Sequence, residues 1–298
     1  MQCRGTLQRA EAGGPFDENV RQQLRRVEPY VVGVGGTFIY RVEDFETLTT
    51  RDTTVESYGA GLLIYLRNGR AAVLTARHLV VSEETLSTYH RTPGGADASF
   101  PIRRSILTST KYYIEDRSTQ LRAADVLCTD VRTDLAVLLF ETPLSAPDDF
   151  PYGVLYGRKL DWGEVVYLFG FPRQSKQLTF GVVSPSPYPG NFVVDATTRF
   201  GYSGGPIFLV DENGTLQLVG IVRAMAAEGL DYVAPPHRVP PGEILHEDEL
   251  REVRSARKQL IEYGTTFGIE AERIGQFLRQ CRERLARHGI VINPRFLP

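Results

Sequence analysis

Cysteine is sparse in this chain of 298 residues: Cys3, Cys128 and Cys281 are all there are. So small and odd a number cannot build the dense bridge framework that staples secreted domains. Cys128 falls in a strand pattern and Cys281 on a helix face, so they read as buried spectator thiols suited to a reducing compartment. Charge of one sign is lacking too. A net charge of −2 and a pI near 6.3 supply no general attraction to nucleic acid or anionic membranes. No apolar run approaches the roughly 20 residues that a spanning helix needs. The opening residues Met1-Gln2-Cys3-Arg4-Gly5-Thr6 lack the basic start and apolar stretch of a secretory leader, and the expectation is a cytoplasmic protein. Neither a metal-ligand cluster nor a phosphate-cradling loop occurs, so no cofactor is implied.

What the chain does hold is 42% hydrophobic residues, enough for one large core or two smaller ones. It also holds a serine set among glycines, in Phe200-Gly201-Tyr202-Ser203-Gly204-Gly205-Pro206. A serine hydroxyl is a poor nucleophile at neutral pH unless a neighbouring base takes its proton and fixed N–H donors hold the developing oxyanion. Both requirements leave traces upstream. Thr75-Ala76-Arg77-His78 ends an apolar run, and Thr133-Asp134-Leu135-Ala136-Val137-Leu138 begins another, so a base and its orienting carboxylate precede the serine in the order His, Asp, Ser.

Gly201 to Gly205 also satisfies the G-x-S-x-G elbow of α/β-hydrolases, an esterase reading that stays open as the alternative. That fold needs its Asp and then its His after the serine, which leaves His237, His246 or His288 as the base. None has a strand-end setting. The residues after Ser203 also oppose the elbow. Ile207 to Val210, Asp211 to Gly214 and Leu216 to Val222 spell strand, turn, strand, where the elbow needs a helix.

The three segments around His78, Asp134 and Ser203 resemble the trypsin-like serine peptidases, and most closely the HtrA-like or cytoplasmic bacterial branch, without a PDZ domain. The likeness extends over roughly residues 30 to 225, with a detached piece near 264 to 285. Tyr58 to Leu66 leads through Asn68-Gly69 into Ala71 to Thr75, a hairpin with a strong tight-turn signal, and Gly163 to Pro172 resembles the strand and G-x-P turn that open the second barrel in HtrA-like peptidases. The resemblance implies an all-β core of two six-stranded antiparallel barrels of the chymotrypsin type. The first would span 30–148 and the second 149–298, after an N-terminal tail and short helix over 1–29.

Ser203 is implied as nucleophile, His78 as general base and then acid, and Asp134 as the carboxylate that holds the imidazole tautomer. The backbone N–H groups of Gly201 and Ser203 are implied as the oxyanion hole. Thr197, Thr198 and Arg199, with Arg223, Ala224 and Met225, are implied as the substrate pocket, shallow and suited to small or aliphatic side chains or, through its two arginines, to acidic ones, and not preferring lysine or arginine. Digestive members of the family carry an acid before the serine to pair with a freed N-terminus. Tyr202 stands there instead, so no activating cleavage is expected at Val31. The implied partner is a protein or peptide substrate. A peptidase-fold binding module without activity, or a peptidase silent until a partner docks, is the further alternative.

Around this core, Asp17 caps a short helix with Val20, Leu24 and Val27 at helical spacing, stopped by Pro29 and expected across the first barrel. Glu43 to Glu56 and Ser82 to Pro101 read as surface loops. In an insertion over 226–263, Pro235-Pro236 and Pro240-Pro241-Gly242 predict extended chain, and Glu247 to Tyr263 is compatible with a helix. A charge-rich segment of this kind reads first as a solvated surface helix, and alternatively as a lid or the docking site of an activating protein. Glu270 to Arg287 predicts an amphipathic helix with Ile274, Phe277, Leu278, Cys281 and Leu285 on one face and Gly289 as its stop. Its arginines are expected to lie outward as solvated surface, on a helix packed against the second barrel.

Overall fold

Apolar runs punctuated by tight turns become strands here, and the strands close on themselves twice. The computed structural model describes residues 17–91, 97–115, 120–143, 150–186, 188–234 and 254–298. The first barrel holds β1 (Val31–Asp44), β2 (Thr49–Arg67), β3 (Arg70–Ala76), β4 (Thr85–Arg91), β5 (Asp97–Glu115), β6 (Leu121–Asp130) and β7 (Leu135–Glu141). Six of them run β1-β2-β3-β7-β6-β5 and close through β1–β5, with β4 added outside β5. The second barrel holds β8 (Gly153–Val154), β9 (Val165–Gly170), β10 (Gln177–Pro185), β11 (Asn191–Ala196), β12 (Pro206–Val210), β13 (Leu216–Ala234) and β14 (Arg254–Glu270). Its order β12-β9-β10-β11-β14-β13 closes through β12–β13, and β8 pairs parallel with β13. Closure removes the free edges that make open sheets liable to pair with one another.

Asn68 and Gly69 both take positive φ, 53° and 74°, and join Arg67 directly to Arg70, as a two-residue hairpin loop demands. Two expected loops are instead strands. Thr49 to Glu56 continues β2 against β1 as far as Asp44, and β4 with β5 forms a hairpin over much of Ser82 to Pro101. Their exposed side chains are mostly polar, with Val55, Leu86 and Phe100 interspersed, so main-chain pairing defines them rather than an apolar period.

The insertion departs further from expectation. Ala227 to Ala234 of β13 pairs with Arg254 to Ile261 of β14, which makes a β-ribbon where Glu247 to Tyr263 was compatible with a helix. Residues 235–253, including both proline pairs, lie outside the described residues, as does Cys3.

Helix α1 (Glu18–Val27) is capped by Asp17, whose carboxylate accepts the Val20 N–H at 2.8 Å. Its buried Val20, Leu24 and Val27 each contribute about 1.5–3 kcal/mol through burial. The helix lies on the second barrel rather than the first. Asn19 donates to the Gly214 carbonyl, and Lys176 pairs with Glu28 just after the helix.

Helix α2 (Ala271–Arg287) buries the five side chains expected and ends at Gly289, φ +73°. It is not confined to the second barrel. Arg284 donates to Leu127 O at 3.1 Å, and Cys281 forms a disulfide with Cys128 of β6, Cα–Cα 6.0 Å. The spectator-thiol expectation is therefore corrected, and cysteine usage ceases to argue for a reducing compartment. Nor are the arginines simply solvated, since Arg273 donates to Pro189 O and Arg279 to Pro298 O, both at 2.7 Å. Tyr152 adds a buried bond to Leu63 O at 3.0 Å, another tie across the barrels.

Candidate active site

His78 sits in a single helical turn, Arg77–Leu79, directly after β3. Thr75, fully buried, ties the end of that strand to Ala60 O at 2.6 Å. Asp134 stands in the β6–β7 connection at φ +56°, a left-handed position that Asp tolerates better than most residues. Asp130 shapes the connection by accepting the N–H of Arg132 at 3.1 Å and the Thr133 hydroxyl at 2.8 Å.

Three bonds then join the segments. The Arg77 N–H donates to Asp134 O at 2.7 Å, the His78 N–H to Asp134 Oδ1 at 3.0 Å, and His78 Nδ1 lies 2.7 Å from Asp134 Oδ2. A carboxylate can only accept, so Nδ1 carries the proton in this pair, and in the neutral ring Nε2 then presents a lone pair. The imidazole is 42% exposed and the carboxylate 15%, so the ring is open to solvent while the group that holds it is shielded.

The serine turn reaches this place from the other barrel. Gly204 fits against the strand that delivers His78 so closely that a Cβ would lie 2.2 Å from Thr75 Oγ1 and 2.8 Å from Ala76 N. Gly59 is likewise wedged between Ser203 O and Leu79, the neighbour of His78. Ser203 is half-buried, and its turn therefore lies against the segment that carries His78.

Within the turn, successive peptide planes are held by main-chain bonds. The Gly201 carbonyl accepts from Phe171 N–H at 2.8 Å, and the N–H of the same plane, on Tyr202, donates to Arg199 O at 3.2 Å. The Ser203 carbonyl accepts from Ala60 N–H, and Gly204 N–H donates to Val222 O, both at 2.8 Å. The Tyr202 carbonyl accepts from Gly205 N–H at 2.9 Å, while the N–H groups of Gly201 and Ser203 have no acceptor among the described residues. Two such uncommitted donors, one on the serine itself and one two residues before it, can hold a developing oxyanion.

Gly201, at φ +105° and with Phe171 O only 2.6 Å from where a Cβ would be, could not be replaced without moving this frame. Tyr202 is buried against Gly170, and burial raises its hydroxyl pKa, so it packs as a neutral ring rather than as an acid. Beyond Ser203 the chain enters strand β12, not the helix of a hydrolase elbow.

The expected pocket residues divide. Thr197, Arg199 and Arg223 are exposed and Ala224 is half-buried. Thr198 is buried and shares a 2.5 Å hydroxyl contact with Thr266, so its side chain supports the wall from behind. Met225 pairs with Thr266 in β13, and its side chain lies outside the described residues. Among the described residues no group of three or more His, Cys, Asp or Glu could hold a metal ion. Sequence reasoning passed over Ala60 and Phe171, which act through main-chain N–H groups. The only sequence signal at the first is the glycine on either side, Gly59 and Gly61, which marks close backbone approach.

A family model for the trypsin-like peptidase domain matches residues 59–221, more than half of the chain. Among solved structures the chain is similar to the HtrA-type protease AlgW, determined as a serine-to-alanine variant with a decapeptide. The identity is 18% and the TM-score 0.53, with 91% of this chain and 68% of that one covered. It is similar as well to a serine endoprotease from Yersinia pestis, at 18% identity and a TM-score of 0.48 over 88% of this chain and 65% of that one. The chain spans about two thirds of the length of these two solved chains. The comparison with curated proteins returns no match.

Proposed function

Since this chain belongs to the trypsin-like peptidase family and is a serine protease, we propose that it is an endopeptidase working through an acyl-enzyme on Ser203. In this reading His78 Nε2 takes the Ser203 proton as Oγ bonds the substrate carbonyl carbon, and Asp134 stabilises the imidazolium that forms. The carbonyl oxygen, now anionic, receives the N–H groups of Gly201 and Ser203. Collapse breaks the C–N bond, and His78 returns the proton to the leaving amine. Water then repeats the sequence against the acyl ester and frees Ser203.

The observation that carries the reading is a carboxylate-held imidazole just after the strand on which the serine turn packs, with the N–H groups of Gly201 and Ser203 lacking an acceptor among the described residues. Labelling with a fluorophosphonate probe tests it. Wild type is expected to react, with Ser203→Ala and His78→Ala silent. Reaction that survives Ser203→Ala would overturn it.

For substrate preference, the two exposed guanidiniums of Arg199 and Arg223 disfavour a cationic side chain before the scissile bond. A peptide-library profile dominated by cleavage after lysine or arginine would contradict this. We further place the docking of an activating protein on residues 226–263. Their deletion is expected to lower turnover of protein substrates, and unchanged turnover would remove the idea.

A further inference from the structure

The Gly-Val-Gly-Gly stretch of β1 has no part in the chemistry so far, yet it carves a trough occupied by two tyrosines. Tyr58 of β2 and Tyr113 of β5 both lie across from Gly35, and Glu115 lies across from Gly33. A Cβ on Gly33 would come within 2.3 Å of Tyr58 Oη, and one on Gly35 within 2.1 Å of the Tyr113 ring. Only glycine leaves room for Tyr58 to cross β1 and donate its hydroxyl to Glu115. Burial, then the Glu115 carboxylate, raises that hydroxyl far above the usual tyrosine range, so it remains a donor at any working pH.

From there the contacts lead into the other barrel. The Tyr58 ring meets Phe171 edge-on, with centroids 6.3 Å apart and planes at 77°. Phe171 supplies the N–H that holds the Gly201 carbonyl, and its own carbonyl abuts Gly201. Two residues along β2 from Tyr58, the Ala60 N–H holds the Ser203 carbonyl. One short piece of β2 thus braces both sides of the turn, Ala60 directly and Tyr58 through Phe171.

We infer that Tyr58 and Glu115 are positioning residues for the acyl-oxygen site, locking Phe171 and through it the peptide plane that aims the donors at Gly201 and Ser203. The inference rests on the oxyanion role proposed above for those two N–H groups. It deepens that role by assigning the second barrel's donor geometry to a hydrogen bond made wholly within the first. Neither residue touches substrate in this account.

The experiment compares Tyr58→Phe, Glu115→Ala and Glu115→Gln with wild type on a peptide substrate. It also compares their affinity for a peptidyl boronate, whose tetrahedral adduct places an oxygen in the acyl-oxygen site, with that for an uncleaved product peptide. Tyr58→Phe keeps the ring and loses the bond, Glu115→Ala loses the acceptor, and Glu115→Gln keeps one. Coupling through an intervening residue is worth roughly a 2- to 30-fold change. Tyr58→Phe and Glu115→Ala are therefore expected to lower kcat about tenfold with KM within about twofold. Boronate affinity should fall by the same factor, product-peptide affinity should hold, and Glu115→Gln should recover most of the loss.

A merely structural role would lower thermal stability while moving boronate and product affinity together or not at all, and that result overturns the inference. Should Glu115→Ala fail to fold, Tyr58→Phe alone decides. A wild type that does not react with the fluorophosphonate overturns the peptidase reading and this inference with it. A reactive wild type beside unimpaired variants overturns this inference alone.

Discussion

Cutting the Cys128–Cys281 bridge would measure how firmly the two barrels are held. The bonded residues stand 153 positions apart, so the closed loop takes in the second barrel. For a loop of that length the chain-entropy ceiling is about 5 kcal/mol, and measured bridges typically return about 2–4 kcal/mol. Reduction leaves both sulfurs in place, Cys281 stays buried beside Leu278 and Leu285, and Arg284 keeps its bond to Leu127 O. The loss therefore falls mainly on the unfolded state, which gains freedom. For a chain of this size 1 kcal/mol moves Tm by roughly 2 °C, so reduced wild type is expected to melt about 4–8 °C below oxidised wild type.

The assay is thermal unfolding of wild type and Cys128→Ala/Cys281→Ala, each with and without a phosphine reductant, beside a thiol titration in denaturant without reductant. Reductant should shift wild type and leave the double variant where it was. Of the three cysteines, one thiol, Cys3, should react. Three reactive thiols, or a wild-type transition indifferent to reductant, would refute the reasoning.

Gly204→Ala forces an Ala into φ +78° with its Cβ 2.2 Å from Thr75 Oγ1 and 2.3 Å from Ala60 O; a stability loss of at least about 1–3 kcal/mol in urea unfolding is expected, together with loss of probe labelling. Asp130→Ala removes the carboxylate that shapes the turn before Asp134 and should lower kcat more than KM. Burial raises the Asp130 pKa, but the Thr133 hydroxyl and the N–H groups of Arg132 and Thr133 outweigh it and lower the net value. Its stabilisation is then complete above the ordinary carboxylate pKa and is lost as pH falls through the depressed one, which a pH series of melting curves on wild type and variant would read. Val31 is buried and paired with Leu62 inside β1, and α1 packs just ahead of it, so N-terminal sequencing of active enzyme should not begin at Val31.

The residues most legible in the sequence were those that interrupt an apolar run. His78 ends one and Asp134 begins another, because a barrel strand buries its length and releases its termini, and the order of the two before Ser203 followed from the chain alone. The stripe of α2 was legible for the same reason, a period tied to burial. Extensions such as Thr49 to Glu56 and Arg254 to Tyr263 were not, since a ribbon stabilised by main-chain pairing imposes little apolar alternation on its residues. The disulfide escaped because nothing in a pair of positions so far apart says that their Cα atoms lie 6.0 Å from each other. Tyr58 and Glu115 escaped for a related reason. Their meeting depends on a glycine at position 33 of a third strand, and a glycine in a strand signals close approach without naming what approaches.

That pattern has a consequence for how such a site tolerates change. The side chains proposed to transfer protons are few and readable, but the two N–H donors take their direction from surrounding peptide planes whose carbonyl and N–H groups are committed elsewhere: to Phe171, Arg199, Ala60, Val222 and Gly205. Of these, Ala60 belongs to the first barrel and the rest to the second, so the donor geometry depends on how the barrels are docked. The docking in turn is held by the Tyr152 bond to Leu63 O, the Arg284 bond to Leu127 O and the disulfide. A preorganised oxyanion site is worth several kcal/mol of barrier only while its donors stay put. Removing a native tie across the seam, as in Tyr152→Phe, should therefore reduce kcat at temperatures well below the unfolding transition, with His78 and Asp134 still bonded. The two effects separate because the His78–Asp134 contact lies wholly within the first barrel, whereas the donors are aimed across the seam.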